Sequence, residues 1–73
     1  MALTYRKGVI KMDDKTLRQV RYVMVRPEAE PRAVQIDAYL GDLYLGQRTY
    51  YASSMASAKS EARNRIKRVG SLN

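Results

Sequence analysis

The chain has no cysteine, histidine, tryptophan or phenylalanine, and its seven Asp and Glu stand against fourteen Lys and Arg. Without Cys or His there is no thiol nucleophile, no disulfide framework, no Cys/His zinc or iron–sulfur site, and no imidazole to exchange a proton near neutral pH. A chain of 73 residues forms a single domain whose core offsets chain entropy by a narrow margin, leaving few side chains for a deep reaction pocket. The carboxylates do not rescue catalysis: Asp13-Asp14 sits where a turn is expected, and Glu28 and Glu30 flank prolines in a loop. Neither pair has a neighbouring nucleophile or the ligand spacing of a calcium or magnesium loop. The expectation is a non-enzymatic protein with no metal and no cofactor.

Long apolar runs are also missing. No window approaches the roughly 18 to 20 apolar residues that span a bilayer. Lys11, Asp13, Asp14 and Lys15 interrupt the segment after Met1–Gly8, so neither a signal peptide nor an anchor is expected. A cytoplasmic protein is expected, and the lack of cysteine fits a reducing compartment.

What the chain does have is charge, unevenly placed. The formal net charge is +7; residues 1–27 carry net +5, residues 28–47 net −3, and residues 48–73 net +5. Pro27-Glu28-Ala29-Glu30-Pro31 is the one Pro-rich stretch, and two prolines four apart disfavour helix and ladder alike, so 27–31 reads as a loop.

Beyond it, Val34, Ile36, Ala38 and Leu40 alternate with Gln35, Asp37 and Tyr39 before Gly41-Asp42, the pattern of a hairpin over 33–51. A two-residue turn pairs Leu40 with Leu43 and Tyr39 with Tyr44, and an unbroken register then pairs Ala38 with Leu45, Ile36 with Gln47 and Gln35 with Arg48. One face collects Val34, Ile36, Ala38, Leu40, Leu43 and Leu45; the other collects Gln35, Tyr39, Tyr44, Arg48 and Tyr50. A slip of one residue would exchange the faces.

Residues 53–69 read as a helix with Met55, Ala58, Ala62, Ile66 and Val69 in one narrow apolar stripe, capped by Ser53 or Ser54 and by Gly70. Residues 1–26 read as a second hairpin, Leu3–Met12 and Thr16–Arg26 joined at Asp13-Asp14-Lys15, with an irregular or bulged opening strand. One phase of its second strand turns Leu17, Val23 and Val25 inward and Arg18, Tyr22, Met24 and Arg26 outward. The fold class is α+β: a small antiparallel sheet of three or four strands with one C-terminal helix packed across one face.

Three groups of side chains suggest binding. Tyr22, Tyr39, Tyr44 and Tyr50 with Arg18, Arg26 and Arg48 would share one sheet face, where rings stack on bases and guanidinium groups pair with phosphates. Cross-strand Tyr pairs also stabilise any half-exposed sheet. On the helix, Lys59, Arg63 and Lys67 recur at i, i+4 and i+8, with Arg65 and Arg68 nearby and Glu61 the one carboxylate. A solvated face and the C-terminal dipole account for some of these cations; the remainder suits a phosphate backbone or an acidic protein patch. Arg6, Lys7, Lys11 and Lys15 form a third group, which could equally keep an edge strand soluble.

The run Val34, Ile36, Tyr39, Leu40, Gly41, Leu45, Gly46 followed by Ser57, Ala58, Lys59 and Ala62 resembles the second half of a double-stranded RNA-binding domain. It is similar also to the small three-strand-plus-helix DNA-binding modules at the ends of some integrases. The resemblance covers residues 34–66. It departs from the RNA-binding pattern in the absence of a leading helix, and in Ser53, Ser54, Met55, Ala56 and Ser57 standing where that family's last helix opens with lysines, leaving Lys59 as the counterpart.

The leading expectation is nucleic-acid binding, with Lys59, Arg63, Lys67, Arg68, Arg18 and Arg48 neutralising phosphates and Tyr44 and Tyr50 as stacking rings. The alternative is a small accessory or inhibitor protein of viral or plasmid type that docks a basic surface on an acidic protein partner, and a homo-oligomer joined through the Tyr face is a third possibility.

Overall fold

Antiparallel pairing of three short strands organises the molecule, and a computed structural model describes it over residues 12–73. In chain order the elements are α1 (Asp14–Leu17), β1 (Arg21–Val25), β2 (Ala33–Leu40), β3 (Leu43–Tyr51) and α2 (Met55–Val69). The sheet order is β1-β2-β3, and α2 packs on one face against β2 and β3. The α+β class follows, with three strands among the described residues. The expected opening strand, Leu3–Met12, lies outside them except for Met12.

β2 is the central strand and the most buried, with Val34, Ile36 and Ala38 fully enclosed beneath α2. Gly41 takes φ +61 at the turn into β3, with nothing near the position of a Cβ, so its role is conformational. The short side chains of Ala58 and Ala62, both fully buried, let α2 lie close to the sheet, and Ile66 fills the space beyond them. Ser54 caps α2 by accepting the Ser57 N–H at 3.1 Å, and Gly70, at φ +83, closes it by donating to the Ile66 carbonyl at 2.7 Å.

The expected register holds only at the turn. Leu40 pairs with Leu43 and Tyr39 with Tyr44, but Ala38 then pairs with Gly46, so Leu45 is an extra residue in β3. From there every pair is offset by one: Ile36 faces Arg48, Gln35 faces Thr49 and Val34 faces Tyr50. The offset moves Arg48 and Tyr50 to the α2 side and Gln47, Thr49 and Tyr51 to the other. The cause is tertiary. After Gly70 the chain folds back, Leu72 is fully buried and donates its N–H to the Leu45 carbonyl at 2.8 Å, and Gly46, at φ +105, leaves room for Asn73, whose side chain would lie 2.5 Å from a Cβ there.

The N-terminal part departs further. Asp13-Asp14-Lys15 is the start of a helical turn, in which the Asp13 carboxylate accepts the Thr16 N–H at 2.8 Å and Leu17 enters the core. That hydrogen bond holds the Asp13 carboxyl below its ordinary value. The residues expected to open the second strand thus satisfy a helix cap, and extended structure begins only at Arg21. The phase of β1 is also reversed: Tyr22 and Met24 face α2, opposite Ala38 and Ile36, while Val23 and Val25 stand 42% and 51% exposed on the other face. Two long side chains fill the volume that the alanines of β2 and α2 leave, and two valines could not.

Candidate functional site

At 100° per residue the cations of α2 fall on two flanks of its exposed side. Lys59, Arg63 and Lys67 run along the flank nearer β1 and α1. Lys59 Nζ lies 5.4 Å from the centre of the Tyr22 ring, a cation–π distance, and Lys67 Nζ lies 3.6 Å from an Asp14 carboxylate oxygen. Burial pushes the Tyr22 hydroxyl up in pKa, opposed by the nearby Arg63 charge, and its buried oxygen has no hydrogen-bond partner among the described residues. Arg65 and Arg68 occupy the flank nearer β3.

Between that second flank and β3 runs a shallow groove of about 550 Å3, lined by Arg48 and Tyr50 from β3 and by Glu61, Asn64, Arg65, Lys67 and Arg68 from α2. Four cations face one carboxylate. Arg65 Nε donates to the Leu72 carbonyl at 3.2 Å and its Nη2 to the Asn73 carbonyl at 2.8 Å, while Arg48 Nη1 donates to Leu72 at 3.3 Å. The Leu72 carbonyl, a neutral acceptor, therefore holds both guanidinium groups in place. The Tyr50 hydroxyl lies on the wall, its oxygen buried and without a hydrogen-bond partner among the described residues; burial raises its pKa against the opposing charges of Arg48, Arg65 and Arg68, with Glu61 adding to the rise. Among the described residues the one ion pair is Lys67–Asp14, between side chains 55% and 65% exposed, so the cations of α2 and Arg48 remain largely uncompensated.

The opposite face of the sheet has another character. Arg21 Cζ sits 5.0 Å from the centre of the Tyr39 ring, and the Tyr39 and Tyr44 rings are 5.2 Å apart, tilted by 44°. Tyr44 donates its hydroxyl hydrogen to Asp37 Oδ1 at 2.6 Å, and Gln47 donates to the same carboxylate at 3.2 Å. The hydrogen bond to Asp37, with smaller contributions from burial and from the Asp37 charge, pushes the Tyr44 pKa up to about 12. Arg21 and Asp37 cancel in formal charge across this face.

The aromatic–basic face expected from the sequence is consequently divided. Tyr39 and Tyr44 share the open face, but Tyr22, Tyr50 and Arg48 lie on the α2 side. Tyr50, its hydroxyl buried, is not a free stacking ring. Arg18 is the C-terminal cap of α1 and not a strand residue, and Arg26 donates to the Pro31 carbonyl in the loop. Two open-face residues went unselected: Arg21, which becomes visible once Tyr22 is turned inward, and Tyr51, 66% exposed, which the bulge brings round. Arg65 belongs to the expected helix group but not to the expected phosphate-neutralising set, since its anchoring by the Leu72 carbonyl leaves no local pattern. Lys59, Arg63, Lys67 and Arg68 are where the helical spacing places them, and Arg48 joins Arg68 and Lys67 at the groove by way of the bulge.

No helix among the described residues is long and apolar enough to cross a membrane. No protein-family model, curated protein or solved structure matches the chain.

Proposed function

We propose that the protein is a non-enzymatic nucleic-acid-binding domain that holds a sugar–phosphate backbone against the surface made by α2 and β3. The observation that carries this reading is the groove between them, where Arg48, Arg65, Lys67 and Arg68 converge and Glu61 is the one carboxylate side chain in the lining. Phosphates arrive with condensed counterions, and releasing these to bulk solution is the main source of affinity for such a surface. Guanidinium groups already fixed by the tail carbonyls lose little side-chain freedom when a phosphate replaces water at their remaining N–H groups. Lys59 and Arg63 extend the positive surface along the other flank of α2, and Arg18 follows the α1 turn that packs against α2.

Stacking plays a smaller part in this reading than charge. Tyr50 belongs to the groove wall, and Tyr44, 51% exposed, faces away from the groove. Fluorescence anisotropy with a mixed-sequence oligonucleotide over a series of salt concentrations tests the proposal. Engagement of four to six phosphates gives a log–log slope of about −3 to −5. A slope near zero, or no binding at low salt, refutes it, and recovery of one stoichiometric protein from nuclease-treated lysate would favour an acidic protein partner in its place.

A further inference from the structure

Resting on the reading of a nucleic-acid partner, we infer that the ligand is B-form duplex DNA, with α2 seated in its major groove. The exposed side of α2 has a crest and two shoulders. Ser60 and Asn64 lie along the crest, both exposed, with Ser57 at its N-terminal end. Lys59 and Arg63 form one shoulder, with Lys67 between it and the crest, and Arg68 with Arg65 and Arg48 forms the other, where Glu61 is the one carboxylate. An α-helix with its side chains measures about 10–12 Å across. The B-form major groove is about 12 Å wide and 8.5 Å deep, with phosphates along both rims. A helix with short polar groups on its crest and cations on both shoulders matches that profile: the shoulders meet two phosphate rims at once, while the crest reaches the base edges.

The crest chemistry fits the floor of the groove. Asn offers a donor and an acceptor that pair with N6 and N7 of adenine, and a Ser hydroxyl pairs with either kind of edge. Small side chains at 56, 57 and 60 keep the N-terminal half of the crest low, so the approach is not blocked before the shoulders engage. The 15 residues of α2 extend about 22 Å, enough to follow the groove for several base pairs. Other forms of nucleic acid use this shape less well. The A-form RNA major groove is too narrow and deep for a helix, and a single strand has no second rim to occupy the second shoulder.

Three probes of one mixed sequence, as DNA duplex, RNA duplex and single-stranded DNA, separate the possibilities by anisotropy at a fixed salt concentration. The DNA duplex is expected to bind at least about tenfold tighter than either of the others. Asn64→Glu and Ser60→Glu, on an exposed crest that takes no part in the core, are expected to weaken duplex binding by about tenfold, while Thr49→Glu on the open sheet face carries the same charge change with little effect. Far-UV circular dichroism verifies that each variant is folded. Dimethyl sulfate footprinting should show protection of guanine N7, in the major groove, and not of adenine N3, in the minor groove. Equal or tighter binding to RNA duplex or single strand, protection at adenine N3, or equal sensitivity to Thr49→Glu and Asn64→Glu overturns the major-groove assignment while leaving nucleic-acid binding in place. Failure of all three probes to bind overturns both.

Discussion

Val34, Ile36 and Ala38 line the face of the sheet beneath α2 and are sealed from water, whereas the opposite face leaves Val23, Val25, Tyr44 and Tyr51 exposed around one cation, Arg21, over the Tyr39 ring and one anion, Asp37, held by Tyr44 and Gln47. Charge separates them as sharply as burial does: uncompensated cations gather on the α2 side, and the open face is neutral. Apolar burial and binding charge therefore share one side of this small domain. Sealing the core requires a helix, the helix exposes its outer surface, and that surface carries the cations.

The largest effects expected from testing this contrast concern burial. Leu72→Ala or Ile36→Ala should each cost about 3 kcal/mol, because both side chains are fully enclosed and leave cavities. Val25→Ala on the open face should cost less than about 1 kcal/mol. Urea midpoints measure the difference, and equal losses would mean that the open face is also a packed one.

Gly46→Ala comes next, at about 2 kcal/mol, since φ +105 strains any residue with a Cβ. An Asn73→Gly background should recover only the part due to crowding, because the Asn73 side chain can swing away while the backbone angle cannot. Full recovery would mean that contact with the tail, and not the backbone of the bulge, dictates the glycine.

In nucleic-acid binding, Arg68→Ala should reduce the magnitude of the log–log salt slope by about 1, while Arg21→Ala on the neutral face should leave it unchanged. The reverse result would move the interface to the other side of the sheet.

Alkali should act on both faces through their tyrosines, most visibly at Tyr44. Its folded pKa of about 12 lies above the ordinary value of 10, so the hydrogen bond to Asp37 stabilises the fold fully below pH 10 and is lost as the pH rises through 12. Phenolate absorbance should show this late titration in the wild type, and Asp37→Asn should bring it to lower pH. An unchanged Tyr44 titration in that variant would remove Asp37 as its cause.

The smallest effect concerns the pair Lys67–Asp14. Asp14→Asn should change stability by less than about 0.5 kcal/mol, because both partners are more than half exposed. A larger loss would give α1 a greater share in holding α2 than its single turn suggests.

These outcomes bear on how much of the molecule its residues disclose one by one. The stripe Ala58, Ala62, Ile66 with Ser54 and Gly70 at its ends was legible because helix periodicity and capping act within a few residues, and the same holds for Val34–Leu40 and the Gly41 turn. The cations on α2 followed from the same spacing. Arg21 and Tyr51 were not legible, nor was the anchoring of Arg65 by the tail, and Tyr22, Tyr50 and Arg48 were assigned to the wrong face. Gly46 reads as an ordinary mid-strand residue without the docking of Leu72 and Asn73, and Asp13, expected in a turn, caps a helix.

Composition and short-range periodicity suffice for the class of fold, the polarised charge and the exclusion of Cys- and His-based chemistry. Which tyrosines are free and which arginines converge depends on contacts between distant segments. A strand's alternation says which residues share a face but not which face is inward; that depends on the volume to be filled beneath α2 and on one extra residue, Leu45, accommodated where the distant tail returns to the sheet.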